Sequence, residues 1–445
     1  MSRIKDMTKG KPSKLLLMFA VPLMIGNLGQ QLYMVADAVI VGRGVGVEAL
    51  AAVGATDWTY WLILWTIQAM TQGFATRLSQ YFGAGDKQEL RKGVAMSITL
   101  CGVIGIVFTA IGLFLVYPML HILKTPENIF DSAASYLITL FLGTVIVMAY
   151  NMAAAILRAL GDGKTPMIAI AVAACTNIVL DLLFILVFRW GIVGAAVATL
   201  IAQLIAFLYC FMVLKNIEII RTSREDWIVD WPAIKRLCQL GVPLALQHVL
   251  IAVGGMILQS TINRYGFLFV AGFTATNKIY GLLESSAISL GYAATTYMAQ
   301  NYGAGLNERI HKGMKSITIM AVLMSVCVSA VMLFGGKAVL SLFVSSGDAN
   351  GGEVLNIAYH YLVIMSCLLW FLYLLHGWRS AIQGLGNAII PMISGVAEFV
   401  MRVAAALIFT RIWGSEAIFY AEPCAWAGAA ILLIAGGIRI LKKIT

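Results

Sequence analysis

Twelve apolar stretches, each long enough to cross a bilayer, restrict this chain to folds that span a membrane. A crossing helix needs roughly 20 mostly apolar residues. Hydrophobic residues make up 60% of the 445 positions and charged residues 12%, whereas soluble domains carry roughly 25% charged residues. The sequence predicts an all-α polytopic membrane protein with spans at residues 14–41, 50–82, 93–121, 132–158, 165–188, 191–214, 235–262, 268–301, 313–344, 354–384, 388–411 and 417–440.

The distribution of basic residues predicts the orientation of these spans. Most of the 31 Lys and Arg residues lie in the tails and in alternate loops, and the positive-inside rule then places both termini in the cytoplasm. The basic N-terminal tail has no small-residue cleavage pattern, so we interpret it as a cytoplasmic tail and not a signal peptide. Loops that face anionic lipid explain the net charge of +10, and we expect no nucleic-acid partner.

The second half of the chain repeats the first. QYFGAGDKQELRKG at residues 80–93 returns as QNYGAGLNERIHKG at residues 300–313, and FAVPL around Pro22 returns as LGVPL around Pro243. LGDGKTPM, which ends at Met167, returns as LGNAIIPM, which ends at Met392. The repeat predicts two six-helix lobes, residues 1–214 and 235–445, joined by a cytoplasmic linker at 215–234. Two copies in the same orientation are related by a pseudo-twofold axis along the membrane normal, as in transporters that work by alternating access.

Two carboxylates inside predicted spans are the first functional candidates. Asp37 and Asp181 lie at similar depth in the outer halves of the first and fifth spans, where an unpaired acid costs on the order of 2.5 kcal/mol. Tyr33 and Asn177 each precede one of these acids by four residues, on the same helix face, and Thr199 has a comparable depth in the sixth span. These residues could bind sodium through Asp37, Asn177, Asp181 and Thr199, or share a proton between the acids. The alternatives are a polar cluster that only holds the helices together, or an Asp37 hydrated near the surface.

Pro22 interrupts the first span and predicts a conformational hinge, because proline removes one helical hydrogen bond. Binding of a cation would relieve repulsion between the acids and let the span bend, which would reshape the cavity.

The carboxyl half differs from the amino half. Residues 254–259, which match the region of Asp37, contain no acid, so the cation site is not duplicated. Glu398 and Arg402 lie four residues apart and predict an ion pair within the eleventh span. Lys278 and Glu284, in the eighth span, are poorly spaced to pair with each other, so each is predicted to face a cavity or to contact another helix. These four residues form a candidate carboxyl-lobe polar site.

Together these motifs resemble the multidrug and toxic compound extrusion (MATE) family, in particular its bacterial DinF-like and related branches. The resemblance covers nearly the whole chain and rests on PLMIGNLGQQLYMVADAVIVGR, the paired QYFGAG and QNYGAG loops, RALGDGKTPM, TNIVLDLLFI and GIVGAAVATLIAQ. It implies export of amphipathic, often cationic, organic compounds in exchange for protons or sodium, by a monomer in a bacterial or archaeal plasma membrane. It also implies that Tyr33, Asp37, Asn177, Asp181 and Thr199 form the cation site.

Other residues and functions were weighed against this interpretation. A stripe in the second span, comprising Trp58, Trp61, Trp65, Gln68 and Met70, could contact substrate, although packing is the simpler role for any one of them. His248, His360 and His376 are interpreted as packing or helix-end residues. A lipid-linked precursor flippase is the alternative transporter, but the spans of the first half lack the basic residues that a pyrophosphate needs. We expect neither an enzyme nor a bound cofactor, since no nucleophile cluster, metal-ligand pattern or ATP-binding loop is present.

Overall fold

The computed structural model describes residues 4–341 and 351–444, in which all regular secondary structure is helical and no strand occurs. The first half contains α1 (Pro12–Gly44), α2 (Val47–Ala84), α3 (Lys87–Ile122), α4 (Glu127–Leu142), α5 (Thr144–Ala159), α6 (Lys164–Asp181) and α7 (Gly191–Lys215). The second half contains α8 (Trp231–Ile262), α9 (Phe267–Gly303), α10 (Asn307–Leu340), α11 (Gly351–Gly384), α12 (Ile389–Ala404), α13 (Thr410–Trp413), α14 (Glu416–Phe419) and α15 (Ala421–Leu441).

Helices occupy the described part of every predicted span, so the all-α polytopic class is confirmed. Among the described residues, nine helices are long and apolar enough to cross a membrane, and the bent pair α4 and α5 would make a tenth. Helices α2 and α9, which match each other in the repeat, are long but fall outside that set. Their buried faces carry many hydroxyl and amide side chains, including Thr71, Thr76, Thr295 and Gln300. The last residues of the ninth predicted span, 342–344, lie outside the described ranges.

The fourth predicted span was wrong in one respect, because it is not one straight helix. Helices α4 and α5 meet at Gly143 and are bent by 48° relative to each other. A side chain at Gly143 would overlap Leu200 of α7, so glycine allows α7 to approach at the bend. The sequence contains no proline at this point, and glycine alone is a weak signal within an apolar stretch.

Two further spans change their winding at matching places in the repeat. A π-helical turn, Leu182–Val187, continues α6, and a second, Ala405–Phe409, continues α12. Such turns are rare and occur frequently at functional sites. The first begins directly after Asp181, and the second begins three residues after Arg402.

The repeated GAG loops form the same kind of helix end in both halves. Gly85 ends α2 with a φ of 72°, and Gly305 follows α9 with a φ of 68°. This left-handed conformation favours glycine. In the first copy, the Asp86 carboxylate then accepts a hydrogen bond from the Glu89 amide at 3.0 Å and caps α3. The motif is therefore repeated because it closes one long helix and starts the next.

The described chain packs into two compact units. The first contains residues 4–7 and 21–245, and its core includes Phe74, Leu78, Leu90 and Leu237. Glycine is required where α2 meets α8 in this unit, because a Cβ atom on Gly73 would lie 2.5 Å from Gly241 Cα. The predicted lobes, 1–214 and 235–445, are defined by the sequence repeat and not by packing, so their boundaries remain a prediction.

The second unit contains Thr8–Ala20 and the described residues from Leu246 onward. Helices α9 and α11 are joined along their length in this unit. The Thr276 hydroxyl donates to the Ala358 carbonyl at 2.8 Å, and the Tyr373 hydroxyl donates to the Leu283 carbonyl at 2.9 Å. These bonds fix the helices that carry several of the charged side chains described below.

Candidate functional site

The five residues predicted to bind a cation all lie in the first unit, and we call them the amino-terminal cluster: Tyr33, Asp37, Asn177, Asp181 and Thr199. Helix α1 carries Tyr33 and Asp37, the last two turns of α6 carry Asn177 and Asp181, and α7 carries Thr199. The two acids are close enough to influence each other electrostatically. Helix α1 also runs beside α6, since a Cβ atom on Gly26 would lie 3.3 Å from Met167.

Four oxygen atoms of the amino-terminal cluster lack hydrogen-bond donors among the described residues. Both carboxylate oxygens of Asp181, Oδ1 of Asp37 and Oδ1 of Asn177 are buried without a partner there. Asp181 is 0% exposed and Asn177 is 1% exposed. The Asn177 Nδ2 group donates to Thr199 Oγ1 at 3.4 Å, which leaves the amide oxygen available. Buried polar atoms are nearly always paired by hydrogen bonds. These oxygens are therefore suited to bind a cation that comes from outside the protein.

Three residues near the cluster were missed by sequence reasoning. Tyr136 of α4 interacts electrostatically with Asp37, Tyr33, Tyr60 and Asp57, and Tyr60 of α2 interacts with Tyr33. Asp57 and Tyr60 are three residues apart on α2, so an acid and a tyrosine on one helix face were available as a signal. Nothing in the sequence distinguishes Tyr136 from other aromatic residues of the spans.

Two chemical functions suit this arrangement. Carboxylate, amide and hydroxyl oxygens are the ligands preferred by hard cations such as sodium. Alternatively, two adjacent carboxylates can hold one proton between them, because both cannot ionise at little cost so close together. In either case the bound cation offsets the repulsion between Asp37 and Asp181.

The carboxyl half contains paired charges instead. The predicted contact between Glu398 and Arg402 is observed, with 3.5 Å between Arg402 Nη2 and Glu398 Oε2, but each residue has a second and closer partner. Arg402 binds both carboxylate oxygens of Glu422 at 2.8 and 2.7 Å, and Glu398 accepts a hydrogen bond from Arg379. We call Arg379, Glu398, Arg402 and Glu422 the carboxyl-terminal ion chain. It alternates in sign and contains two guanidinium groups and two carboxylates.

The ion chain is almost fully enclosed within the second unit. Side-chain exposure is 8% for Arg379, 4% for Glu398, 6% for Arg402 and 16% for Glu422. Arg379 also donates to Ser394 Oγ at 3.2 Å, and the Gln247 amide oxygen, once the amide is oriented to suit its neighbours, accepts from Arg379 Nε at 2.7 Å. The two longest-range members, Arg379 and Glu422, were not predicted, because they come from helices α11 and α15.

Glu284 and Lys278, the other two residues of the predicted carboxyl-lobe site, are not part of the ion chain. Oε1 of Glu284, on α9, lies 3.3 Å from Nε2 of His376, on α11. Contact with another helix was one of the two predicted arrangements for Glu284. His376, interpreted as a packing or helix-end residue, therefore has a polar partner as well. Lys278 is exposed, with no ion pair recorded for it within residues 4–341 and 351–444. His360, in turn, lies 3.2 Å from Glu416.

The aromatic stripe of α2 is only partly enclosed. Trp58, Trp61 and Trp65 are half-buried, and the rings of Trp61 and Trp65 lie 5.7 Å apart. Met70 is 7% exposed and belongs to the apolar core of the first unit. Met70 therefore packs, whereas the three tryptophans retain accessible ring surface.

Comparisons with known proteins agree with this fold. The sequence matches the MatE family over residues 22–183 and 243–408. It is 35% identical over 345 residues to the probable multidrug resistance protein YpnP of Bacillus subtilis (strain 168), and the match covers 77% of each chain.

Two solved MATE structures share the fold at 23% identity. One is described as a bent conformation, with a TM-score of 0.89 and coverage of 98% of this chain and 97% of that one. The other is described as a straight conformation, with a TM-score of 0.90 and coverage of 99% and 98%. Since the family match extends over both repeats, the chain belongs to the MatE family, the multidrug and toxic compound extrusion transporters.

Proposed function

We propose that the protein is a secondary multidrug antiporter, which exports amphipathic and often cationic organic compounds in exchange for protons or sodium. One observation carries the proposal: four buried oxygens, which belong to Asp37, Asn177 and Asp181, have no hydrogen-bond donor among the described residues. Burial of acids without hydrogen-bond donors costs free energy unless a cation binds to them. The name of the Bacillus subtilis relative supports the choice of drugs as substrates.

The coupling step follows from the repulsion between Asp37 and Asp181. A bound proton or sodium ion removes most of this repulsion and stabilises the conformation in which α1 and α6 are close. Loss of the cation favours a conformation in which the acids separate or become hydrated. A ligand can shift such an equilibrium only through its difference in affinity for the two states.

Pro22 is the proposed hinge for that change. It lies inside α1, fifteen positions before Asp37, and interrupts the hydrogen-bond ladder of the helix. Related MATE structures, described as a bent and a straight conformation, support a fold that adopts more than one conformation.

The orientation and assembly also belong to the proposal. We infer that both termini are cytoplasmic, because the basic residues are concentrated in alternate loops. A monomer in the plasma membrane of a bacterium or archaeon would suffice for transport. The accessible rings of Trp58, Trp61 and Trp65 could contact cationic aromatic substrates.

Ethidium efflux in proteoliposomes tests the proposal. Wild type and the Asp37→Asn variant are compared under an imposed pH gradient and an imposed sodium gradient, with Asp230→Asn, a loop carboxylate, as the matched control. We expect one gradient to drive transport in wild type and in the control, and Asp37→Asn to lose it. Gradient-driven transport that survives in Asp37→Asn would contradict the role of the cluster. Absence of gradient-driven dye transport in wild type would favour the flippase alternative.

A further inference from the structure

A cavity of about 510 Å³ lies between α12 and α15 in the second unit, where α12 begins and α15 ends. Its walls are apolar and include Ile390 and Ile393 of α12 and Leu432 and Ile440 of α15. At Gly436 the helices come close, since a Cβ atom there would lie 3.1 Å from the Ile390 side chain. The cavity is open along its length, because Ile393 is 43% exposed.

The end of this cavity is basic. Arg439 and Lys443 line it, four positions apart and therefore on one side of the end of α15. Both side chains are exposed. The lining contains no acidic residue, and neither cation has an ion pair recorded within residues 4–341 and 351–444.

Asn387 adds a polar group at the same end of the cavity. Its Oδ1 atom accepts hydrogen bonds from the Ile389 and Ile390 amides, both at 3.1 Å, at the start of α12. Its Nδ2 group is not used in these bonds and remains a donor. The lining therefore changes from two cations and an amide at the helix ends to aliphatic side chains further along the helices.

We propose that this cavity binds an anionic phospholipid, with the phosphate at Arg439, Lys443 and Asn387 and an acyl chain along the apolar walls. Basic pockets between transmembrane helices on the cytoplasmic side suit anionic headgroups. A free phosphate ion would use the basic end alone and leave the aliphatic groove unexplained. The assignment to the cytoplasmic leaflet rests on the proposed orientation, whereas binding itself does not depend on transport.

Native mass spectrometry of the purified protein tests this site. The protein is equilibrated with an equal mixture of phosphatidylglycerol and phosphatidylcholine that share the same acyl chains, and the retained lipid is counted. We expect wild type to retain phosphatidylglycerol preferentially. The Arg439→Gln and Lys443→Gln variants should each reduce that preference by up to about fivefold, as expected for one basic residue near a membrane surface.

Two further variants separate a built site from general surface charge. Lys164→Gln removes an exposed cation at the start of α6, the position that matches the start of α12 in the repeat, and should leave the preference unchanged. Ala435→Trp fills the apolar groove and should displace the lipid while both cations remain. An equal loss in Lys164→Gln, or an unchanged preference in the Arg439→Gln/Lys443→Gln double variant, would overturn the proposal. Retention of lipid by Ala435→Trp would contradict the acyl-chain contact and leave only a phosphate site.

Discussion

The amino-terminal cluster and the carboxyl-terminal ion chain occupy matching places in the repeat, but their charges are balanced in opposite ways. With the repeats aligned on Pro22 with Pro243 and Met167 with Met392, Tyr33 matches Gly254 and Asn177 matches Arg402. Gly254 lies next to Arg402, since a Cβ atom there would be in ordinary contact with Arg402 Cδ at 3.6 Å. Asp181 matches Ala406, which carries no charge.

The amino-terminal cluster and the ion chain therefore differ in how their buried charge is compensated. In the ion chain every carboxylate contacts a guanidinium group, so the net charge is zero and no external ion is needed. In the amino-terminal cluster two carboxylates face each other without a basic partner among the described residues. The comparison shows buried charges that balance one another within the carboxyl half, whereas the proposed coupling site in the amino half has acids without a basic partner among the described residues.

The largest expected effect comes from breaking the ion chain. Arg402→Met leaves Glu422 buried without its bidentate partner, and the loss of one member of a buried pair costs about 3–5 kcal/mol of stability. Thermal unfolding in detergent measures this, with the exposed Arg411→Met as control. The Arg402→Met/Glu422→Gln double variant should recover part of the loss. Equal midpoints for Arg402→Met and Arg411→Met would contradict a structural role.

Neutralisation of the amino-terminal acids should instead affect coupling. Asp37→Asn and Asp181→Asn should each lower gradient-driven transport by at least about tenfold, within the range of typical coupling energies. Because both acids serve one cation, the double variant should transport no worse than either single variant. Initial rates of dye efflux measure these effects. Independent, multiplicative losses would indicate two separate sites.

A smaller effect is expected from the neutral ligands. Asn177→Ala removes an amide oxygen from the cluster and frees Thr199, which should weaken the apparent affinity for the coupling cation by about two- to tenfold. The dependence of efflux rate on cation concentration measures it. Asn177→Asp keeps an oxygen at this position and should retain cation binding better than Asn177→Ala. An affinity unchanged in Asn177→Ala would remove Asn177 from the site.

The smallest effect concerns a carboxylate that belongs to neither region. Asp230 precedes α8, and the Ala233 amide and the Lys92 ammonium, each 3.0 Å away, hold its pKa below the ordinary value. Because the pKa of Asp230 is lower in the folded state, this stabilisation is complete at a pH above the ordinary aspartate pKa of about 4. It is lost as the pH falls through the pKa of the folded state. Asp230→Asn keeps the cap but not the charge, so it should cost less than about 1 kcal/mol at pH 7. Its difference from wild type in thermal unfolding should disappear in acid, and a difference that grows in acid would contradict this assignment.

The sequence predicted those features that depend on spacing along one helix. Twelve spans follow from apolar length, and the pairs Tyr33 with Asp37 and Glu398 with Arg402 follow from helical periodicity. Asp37 and Asp181 could be placed together because both spans cross the same membrane, so the position of a residue within its span gives its depth. The repeat then showed which half lacked the acid.

The features that depend on contacts between helices were missed. Tyr136, Arg379, Glu422 and the contact of His376 with Glu284 require knowledge of which faces meet, and residue spacing does not contain it. The bend at Gly143, where α7 lies close, and the two π-helical turns carry no clear signal in the sequence. The sequence thus located the acids, but not the side chains that surround them.

The most direct test of the account measures cation release when substrate binds. Purified wild type, Asp37→Asn and Asp230→Asn are mixed with ethidium in weakly buffered solution, with a pH indicator to detect protons and radioactive sodium to detect sodium. The account predicts that wild type and Asp230→Asn release one of the two cations, whereas Asp37→Asn binds ethidium but releases neither. Release from Asp37→Asn equal to that of wild type would contradict the claim that the unpaired acids hold the coupling ion.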